Sequence, residues 1–488
     1  MKRAPSGIFP VIAVDKRLAQ SLYKQIYDCY RKAILDGSLR AGQRVASTRV
    51  LASELGISRI PALSAYAQLL AEGYFESRVG SGTIVSRSLP QRAQPVTTEA
   101  TQLTRSRSRR PISKHALLPT SRHGDYGDGG LGPFRFGQIA FDHFPLQIWN
   151  SLVTRQARRT DARSFKYGDH MGVSDLREAI ATYLRTARAV RCEARQIMIV
   201  SGSQVGLEIT TRALLDPGSR VWVEEPGYTL ARAVIAGRGC KIVPVPVDIE
   251  GLDVLAGRRK CQHARAALVT PSHQFPMGVT MSASRRLQLL DWAESAGSWI
   301  IEDDYDSEFR YDSQPIGSLQ GLDRNARVIY IGTFSKVLFP SLRLGYLVIP
   351  PDLVDRFQAV RFAMDVSSPT FLQAVLADFI REGHFSRHVR RMRAIYEQRR
   401  DGLIESIRRE LGARVEIADA QAGMHLAVIM KGIADREVAE RAVGQKIWLA
   451  PLSSFYADKP VHRGFVLGFG STSSEEIPSA VRRLRACL

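Results

Sequence analysis

Cysteine is scarce in this 488-residue chain, and long apolar runs are missing. The five cysteines are scattered and form no Cys-x-x-Cys pair, which argues against a disulfide framework and a zinc site and fits a reducing cytoplasm. No apolar run approaches the ~20 residues of a membrane-spanning helix, and the N-terminus lacks the apolar core of a signal peptide. We therefore expect a cytoplasmic protein with no membrane partner and no bound metal.

Acidic residues are few in the first quarter of the chain. Residues 1–122 contain 20 Lys and Arg against 7 Asp and Glu, whereas the rest contains 48 against 41. A basic segment joined to a nearly balanced body suggests either an anionic partner, with nucleic acid as the leading candidate, or a solubilising tail.

Composition and periodicity divide the chain into three parts. Residues 18–88 carry the apolar spacing of a small folded domain, whereas residues 89–122 are rich in Pro, Thr, Ser, Arg and Gln and predict a flexible Arg-rich linker. In residues 123–488, helical patterns alternate with short β-rich runs, which predicts a mostly parallel sheet flanked by helices. We expect a large domain at about 160–365 and a small α+β subdomain at about 366–488.

Three short helices and a hairpin are predicted within residues 18–88. Ser47 and Ser58 stand where they can cap the second and third helices, with Gly56 between these helices. Such a helix-turn-helix can place its last helix in the major groove of DNA, although it also occurs as a plain structural corner. The apolar positions that define the predicted helix faces are Leu22, Ile26, Cys29 and Ala33, then Leu51 and Leu55, then Leu63, Tyr66, Ala67 and Leu70.

The run from "LYKQIYDCYRKAILDG" through "STRVLASELGISRIPALSAYAQLLAEGYFESRVGSGTIV" resembles the GntR-type winged helix-turn-helix. Ala46-Ser47 replaces the Pro-Ser usual in that family, and the third helix begins "SRIPALS" without the usual polar residues, so base preference cannot be carried over. The resemblance implies duplex DNA as partner, approached by Ser47, Arg49, Ser58, Arg59, Arg78, Gly80, Ser81 and Gly82.

Lys336 follows Ser335 at the end of the apolar run "RVIYIGTF". A lysine just past a strand end can form an imine with an aldehyde cofactor if burial or neighbouring cations lower its pKa. A Ser-Lys pair alone usually marks a surface lysine, so the neighbouring motifs decide between the two interpretations.

Asp303 lies at the carboxyl end of the predicted strand "SWII", where open α/β sheets bind ligands. A buried carboxylate there can hold the protonated pyridine nitrogen of pyridoxal 5'-phosphate (PLP), and Tyr305 can donate to its phenolate oxygen. The alternative for "EDDYDSE" is a metal loop, but the glycine of a calcium loop is missing.

Two further motifs suit such a cofactor. Ser203 and Gln204 join a predicted strand to a helix, where backbone N–H groups can bind a phosphate. Tyr228, in "EEPGY", can stack on a pyridine ring or simply pack in the core.

In their order, "SGSQ", "EEPGY", "TPSHQFPMG", "EDDYDSEFRY" and "GTFSKVLFPSLRLGY" resemble the fold type I aminotransferases, from about residue 134 to the C-terminus. The resemblance implies an α/β PLP-dependent transferase fold in which PLP forms an internal aldimine with Lys336. The residues it implies around PLP are Asp303 at the pyridine nitrogen, Tyr305 at the phenolate, Tyr228 stacked on the ring, Ser203, Gln204, Thr333 and Arg343 at the phosphate, His273 in the pocket lining, and Tyr167 reaching the neighbouring subunit of a homodimer.

Two positions depart from the aminotransferase pattern. Phe275 replaces the Asn of the family's NPTG motif, and Val466 aligns with the arginine that clamps a substrate carboxylate. Arg463 is the only cation near that second position in the sequence. The missing clamp disfavours an amino-acid transaminase.

A GntR-like head, an Arg-rich linker and an aminotransferase-like body in one chain resemble the MocR/GabR-type regulators. The resemblance implies a multidomain transcriptional regulator that senses PLP, an amine or an amino acid through the aldimine on Lys336 and rearranges its two DNA-binding heads. One alternative is a working aminotransferase with an appended DNA-binding domain, or one limited to half-reactions. Another is a DNA-binding scaffold with a dead pocket, which the retained lysine, aspartate and tyrosines oppose.

Overall fold

The computed structural model describes residues 14–78, 82–88, 132–311 and 316–488. The chain divides into two compact units, residues 1–111 and 112–488. The predicted linker, residues 89–122, and the first residues of the predicted aminotransferase-like region, 123–131, lie outside the described residues.

The first unit is a winged helix-turn-helix, as the sequence predicts. Its core is built on three aromatic rings, those of Tyr30, Tyr66 and Phe75, which meet edge to face with centroids 5.1–5.5 Å apart. The Tyr66 hydroxyl donates to Tyr30 Oη at 2.8 Å or to the Ala46 carbonyl at 3.0 Å, so the buried phenols are not left unpaired. The elements are helices α1 (Leu22–Leu35), α2 (Thr48–Glu54) and α3 (Arg59–Ala71) and the antiparallel strands β1 (Phe75–Arg78) and β2 (Gly82–Val85).

The predicted core face of α3 is wrong in part. Tyr66 is buried as predicted, but Leu63 and Leu70 are 45% and 36% exposed and Ala67 is exposed as well. Apolar residues occupy two neighbouring stripes of this helix, and the helix buries the one that its small alanines allow to pack closely. The residues on the buried stripe are Ala62, Ala65, Tyr66 and Leu69.

The two predicted helix caps behave differently. The Ser47 side chain accepts a hydrogen bond from the Val50 N–H at 3.3 Å and so caps α2. Ser58 occupies the corresponding position before α3, but its side chain makes no capping bond.

The second unit contains an eight-stranded, mostly parallel sheet, as predicted. Its strand order is β3-β10-β9-β8-β7-β4-β5-β6, with β10 antiparallel to both neighbours and β6 antiparallel to β5. The central strand β9 is buried along its whole length, which explains why it reads as a continuous apolar run. The strands are β3 (Ile197–Val200), β4 (Arg220–Glu225), β5 (Lys241–Asp248), β6 (Gly251–Leu252), β7 (Ala266–Val269), β8 (Trp299–Asp304), β9 (Val328–Thr333) and β10 (Gly345–Val348).

Helices cover both faces of this sheet. Alternate residues of β3 enter different apolar clusters, Ile197 and Ile199 one, Met198 and Val200 another, because successive strand side chains point to opposite faces. The helices of this part are α4 (Leu146–Arg159), α5 (Ser174–Ala187), α6 (Ser203–Leu214), α7 (Thr229–Gly237), α8 (Val254–Cys261), α9 (Ala283–Ala296), α10 (Leu319–Leu322) and α11 (Val354–Asp365).

The C-terminal part is α+β, as predicted, with an antiparallel sheet of order β11-β12-β14-β13. No helix in the described part of the chain has both the length and the apolar character to cross a membrane. The elements are α12 (Phe371–Arg381), α13 (His384–Leu411), β11 (Glu416–Ile417), β12 (His425–Ile429), α14 (Asp435–Gly444), β13 (Ala450–Pro451), β14 (Gly464–Gly468) and α15 (Ile477–Cys487).

Candidate cofactor pocket and DNA-reading head

A cavity of about 340 Å³ lies beyond the carboxyl ends of β8 and β9, where α/β sheets place their ligands. It brings together most of the residues that the sequence singles out for a cofactor. Those lining it are Ser203, Gln204, Tyr228, Asp303, Tyr305, Thr333, Lys336 and Arg343.

Lys336 projects its amine into this cavity. Lys336 Nζ donates to the carbonyl oxygen of Gly137 at 3.1 Å, and both residues line the cavity. Burial lowers the pKa of Lys336, although Asp306 and Asp303 act in the opposite direction. A lowered pKa increases the fraction of neutral amine, which is the form that attacks a carbonyl carbon.

One carboxylate oxygen of Asp303 lacks a hydrogen-bond donor among the described residues. Its Oδ1 is buried and has no hydrogen-bond partner among the described residues. Burial, and then the nearby carboxylates of Asp304, Glu224 and Asp306, raise its pKa to about 7. A protonated pyridine nitrogen supplies both the missing donor and the missing positive charge, so this position fits the cofactor expected from the sequence.

Another part of the cavity lining fits a phosphate. Helix α6 begins at Ser203, and the first N–H groups of a helix lack intrahelical partners and attract anions. Arg343 adopts a left-handed conformation with φ 52°, and its Nη2 donates to the Ser201 carbonyl at 3.0 Å. Gly202, with φ 93°, leaves room for this guanidinium, because a Cβ there comes within 3.1 Å of it.

His273 is not among the residues that line the cavity and instead lies behind Tyr305. Its Nδ1 is 3.0 Å from Tyr305 Oη and 3.0 Å from Asp306 Oδ1, and the imidazole is almost fully buried. Asp306 itself lines the cavity. Ligand atoms of His273, Asp306 and His425 lie within 4.8 Å of one another, which makes this trio the candidate for a metal within the described residues.

Sequence reasoning missed Asp306 and His425, which both line the cavity. Burial, and then the adjacent His273, lower the pKa of His425 well below its usual value, so this imidazole is neutral at pH 7. Asp306 belongs to the same acidic motif as Asp303, three residues further on, and His425 begins β12. These two positional signals could have identified them.

Tyr167 does not enter the cavity of its own chain. It is 87% exposed, and the nearby Phe165 is 83% exposed. The reach of Tyr167 into a neighbouring subunit stays a prediction.

The two departures from the aminotransferase pattern share one apolar cluster. Phe275 lines the cavity, and Val466 is fully buried in β14 and belongs to the same cluster as Phe275. The Arg463 guanidinium lies 4.0 Å from the Asp435 carboxylate and is not among the cavity-lining residues.

The first unit exposes several of the predicted DNA-facing residues. Arg49 and Arg59 are exposed near the starts of α2 and α3, and Arg59 Nε donates to Thr48 Oγ1 at 3.3 Å. Sequence reasoning missed Arg44, whose guanidinium lies beside Gly82 in β2 so closely that a Cβ at Gly82 comes within 3.1 Å of it. Ser47, Ser58 and Gly82 are exposed, Arg78 ends β1, and Gly80 and Ser81 lie outside the described residues.

Each of the two units matches a known protein family. Residues 22–85 match the gntR family of bacterial regulatory proteins, and residues 140–484 match aminotransferase class I and II. A solved Pyrococcus horikoshii kynurenine aminotransferase, in complex with PMP, superimposes with a TM-score of 0.70 at 27% identity, over 77% of this chain and 96% of that one.

Proteins named as regulators match nearly the whole chain. The probable rhizopine catabolism regulatory protein MocR of Rhizobium meliloti is 37% identical over 98% of this chain and 95% of its own length. The HTH-type transcriptional regulator TauR of Rhodobacter capsulatus is 32% identical over 96% of each chain. The chain therefore belongs to the MocR-like transcriptional regulators, which join a gntR-family winged helix-turn-helix to an aminotransferase class I and II domain.

Proposed function

We propose that this regulator uses PLP on Lys336 to sense a small molecule, which is PLP itself, an amine or an amino acid, and that the signal controls operator binding by a cytoplasmic homodimer. The observation that carries the proposal is the shared cavity of Lys336 and Asp303. One offers an amine of lowered pKa, and the other offers a buried carboxylate oxygen without a donor.

Different residues of the lining would hold different parts of the cofactor. Lys336 would hold it covalently, Asp303 would pair with its ring nitrogen, and the start of α6 with Arg343 would hold its phosphate. When bound, PLP supplies an aldehyde carbon that captures primary amines and a ring that accepts electrons. Tyr305 would orient the ring oxygen, and its own hydroxyl lies 3.0 Å from His273 Nδ1.

Sensing requires two states of the protein with different affinity for the effector. A ligand shifts such an equilibrium only by its differential affinity, and tenfold discrimination corresponds to about 1.4 kcal/mol. We propose that the two states differ in how the subunits of the dimer present their DNA-binding heads. In this proposal the exposed Tyr167 lies on the contact between the two subunits, because the aminotransferase resemblance implies that a tyrosine at this position reaches the neighbouring subunit's cofactor.

The test compares Lys336→Ala with Lys241→Ala, which removes an exposed lysine from β5. Footprinting of the chain's own promoter region is carried out with PLP and with a panel of primary amines and amino acids. We expect the wild-type protein and Lys241→Ala to change their footprint with one of these compounds and Lys336→Ala to show the same footprint throughout. An unaltered response in Lys336→Ala contradicts the proposal.

A further inference from the structure

Helix α3 presents an apolar stripe to solvent. Ile60 is 71% exposed and Leu63 45% exposed, and Ala67 and Leu70 continue the same face toward the C-terminal end of the helix. The opposite face of α3 is packed in the core of the first unit, which means that this stripe is not needed to hold the unit together.

The stripe begins where a recognition helix contacts base pairs. In a helix-turn-helix, the N-terminal residues of the second helix of the motif lie against the base edges. Ile60 and Leu63 occupy the first and second turns of α3. Arg49 and Arg59 are exposed near the starts of α2 and α3, where cations can contact the phosphates that flank a groove.

The major groove offers few apolar groups to such side chains. Each base pair presents hydrogen-bond donors and acceptors there, and the C5 methyl of thymine is the apolar group. Isoleucine and leucine side chains make no hydrogen bonds, so they cannot distinguish guanine, cytosine or adenine by polar contacts. They gain free energy when a methyl group removes their surface from water.

We propose that Ile60 and Leu63 read thymine methyl groups in each half of the operator, so that this regulator selects thymine at these positions by apolar contact. The proposal concerns base preference and is independent of the signal that the cofactor pocket senses. A contact of the same stripe with another protein surface is the alternative outcome of the test.

The experiment uses full-length, PLP-loaded protein and duplexes that it selects from a random-sequence pool. Each thymine of a selected half-site is replaced, one at a time, by deoxyuridine, which keeps every hydrogen-bonding group of thymine and lacks only the methyl. We expect one or two positions in each half-site at which the replacement weakens binding about fourfold per methyl, the loss for one buried methyl-sized group.

Variants assign the contact to its side chain. At the thymine that each side chain contacts, the affinity for the thymine duplex divided by that for the deoxyuridine duplex is expected to fall to near one in Ile60→Ala or Leu63→Ala. The methyl group then has no side chain to contact. Leu70→Ala, on the same stripe but in the last turn, is expected to keep the wild-type ratio. The salt dependence of binding is expected to stay unchanged in Ile60→Ala, because no phosphate contact is removed.

Three results overturn the proposal. One is a selected half-site in which every deoxyuridine replacement changes affinity by less than twofold. Another is an unchanged thymine-to-deoxyuridine ratio in both Ile60→Ala and Leu63→Ala. The third is a change in oligomeric state in these variants while binding to the selected duplex is unaltered. Thermal melting checks folding, and these exposed positions are expected to tolerate alanine.

Discussion

The Lys336 amine donates to the backbone carbonyl oxygen of Gly137 at 3.1 Å. Gly137 has a φ of 77°, and a Cβ at this position comes within 2.6 Å of Lys336 Nζ. The loop that carries Gly137 therefore fixes the amine and leaves room for it, although the two residues are far apart in the sequence. Glycine suits the backbone conformation here, and a Cβ would displace the end of the Lys336 side chain.

Gly137→Ala is expected to weaken PLP binding, because the added methyl displaces the end of the Lys336 side chain that holds the cofactor. Gly297→Ala is the matched control: Gly297 also has a positive φ, 63°, but a Cβ there meets no atom within 4 Å. Both variants are expected to lose about 1 kcal/mol of stability from the unfavourable φ, and only Gly137→Ala to lose cofactor affinity. Absorbance titration with PLP measures the difference, and equal affinities in the two variants contradict the account.

The pH dependence of stability reports on Asp303. Its pKa is raised to about 7 by burial and by neighbouring carboxylates, so between the unfolded value near 4 and pH 7 the folded protein binds a proton that the unfolded chain has released. Stability from this group is therefore greatest at low pH and is lost as the pH rises toward 7. The melting temperature of cofactor-free protein is expected to fall by several degrees over this range.

Asp303→Asn is expected to reduce the decrease in melting temperature with rising pH. PLP loading of the wild-type protein is expected to reduce this decrease too, because the ring nitrogen would then neutralise the Asp303 carboxylate. Glu224, Glu302 and Glu308, whose pKa values burial also raises to about 7, contribute to the fall that remains. His388 and His425, whose pKa values burial lowers, act in the opposite direction. Asp291→Asn, on the exposed side of α9, serves as the control. If Asp303→Asn and Asp291→Asn show the same slope, the assigned protonation of Asp303 is wrong.

A buried ion pair holds the strand that carries Asp303. Arg188 Nη2 lies 2.9 Å from the Asp304 carboxylate and donates to Ser272 Oγ at 2.7 Å. Both partners of the pair are almost fully buried, and the Tyr330 hydroxyl also donates to Asp304. Arg188→Met is expected to destabilise the second unit by about 3–5 kcal/mol, because it leaves a buried carboxylate without its partner.

Urea unfolding followed by tryptophan fluorescence measures this loss, because all five tryptophans lie in the second unit. The control is Arg212→Met, which breaks the exposed pair of Arg212 with Glu208 and is expected to cost about 0.3–0.5 kcal/mol. Similar losses in both variants contradict the importance of the buried pair.

Arg59 tests the phosphate contacts of the head. Log affinity for duplex DNA falls with log salt at about −0.9 per neutralised phosphate, so Arg59→Ala is expected to reduce the slope by about one for each head and to weaken all sequences alike. Arg195→Ala, an exposed arginine paired with Glu193 in the second unit, is expected to leave the slope unchanged. A wild-type slope in Arg59→Ala places this side chain off the phosphate backbone.

The sequence predicts the pocket better than it predicts helix faces. Lys336 follows β9 and Asp303 lies at the carboxyl end of β8, so the two residues meet at one edge of the sheet and line one cavity. In α3, by contrast, two apolar stripes satisfy the same helical spacing, and only the packing against α1 shows that Ala65 is inside and Leu63 outside.

Contacts between distant segments are the other feature that the sequence did not provide. Nothing near Gly137 in the sequence indicates that its carbonyl accepts from Lys336. Likewise, the position of His273 behind Tyr305 follows from how the loop after β7 packs on the end of β8. Such placements depend on the tertiary structure and not on local patterns.

The most direct test of the account is mass spectrometry of PLP-saturated protein after borohydride reduction and proteolysis. Covalent attachment of PLP to Lys336 predicts one modified peptide, which carries the reduced pyridoxyl group on Lys336, and no such peptide when the reduction is omitted. A protein that stays unmodified at Lys336 under these conditions, or that carries the group on other lysines alone, contradicts it.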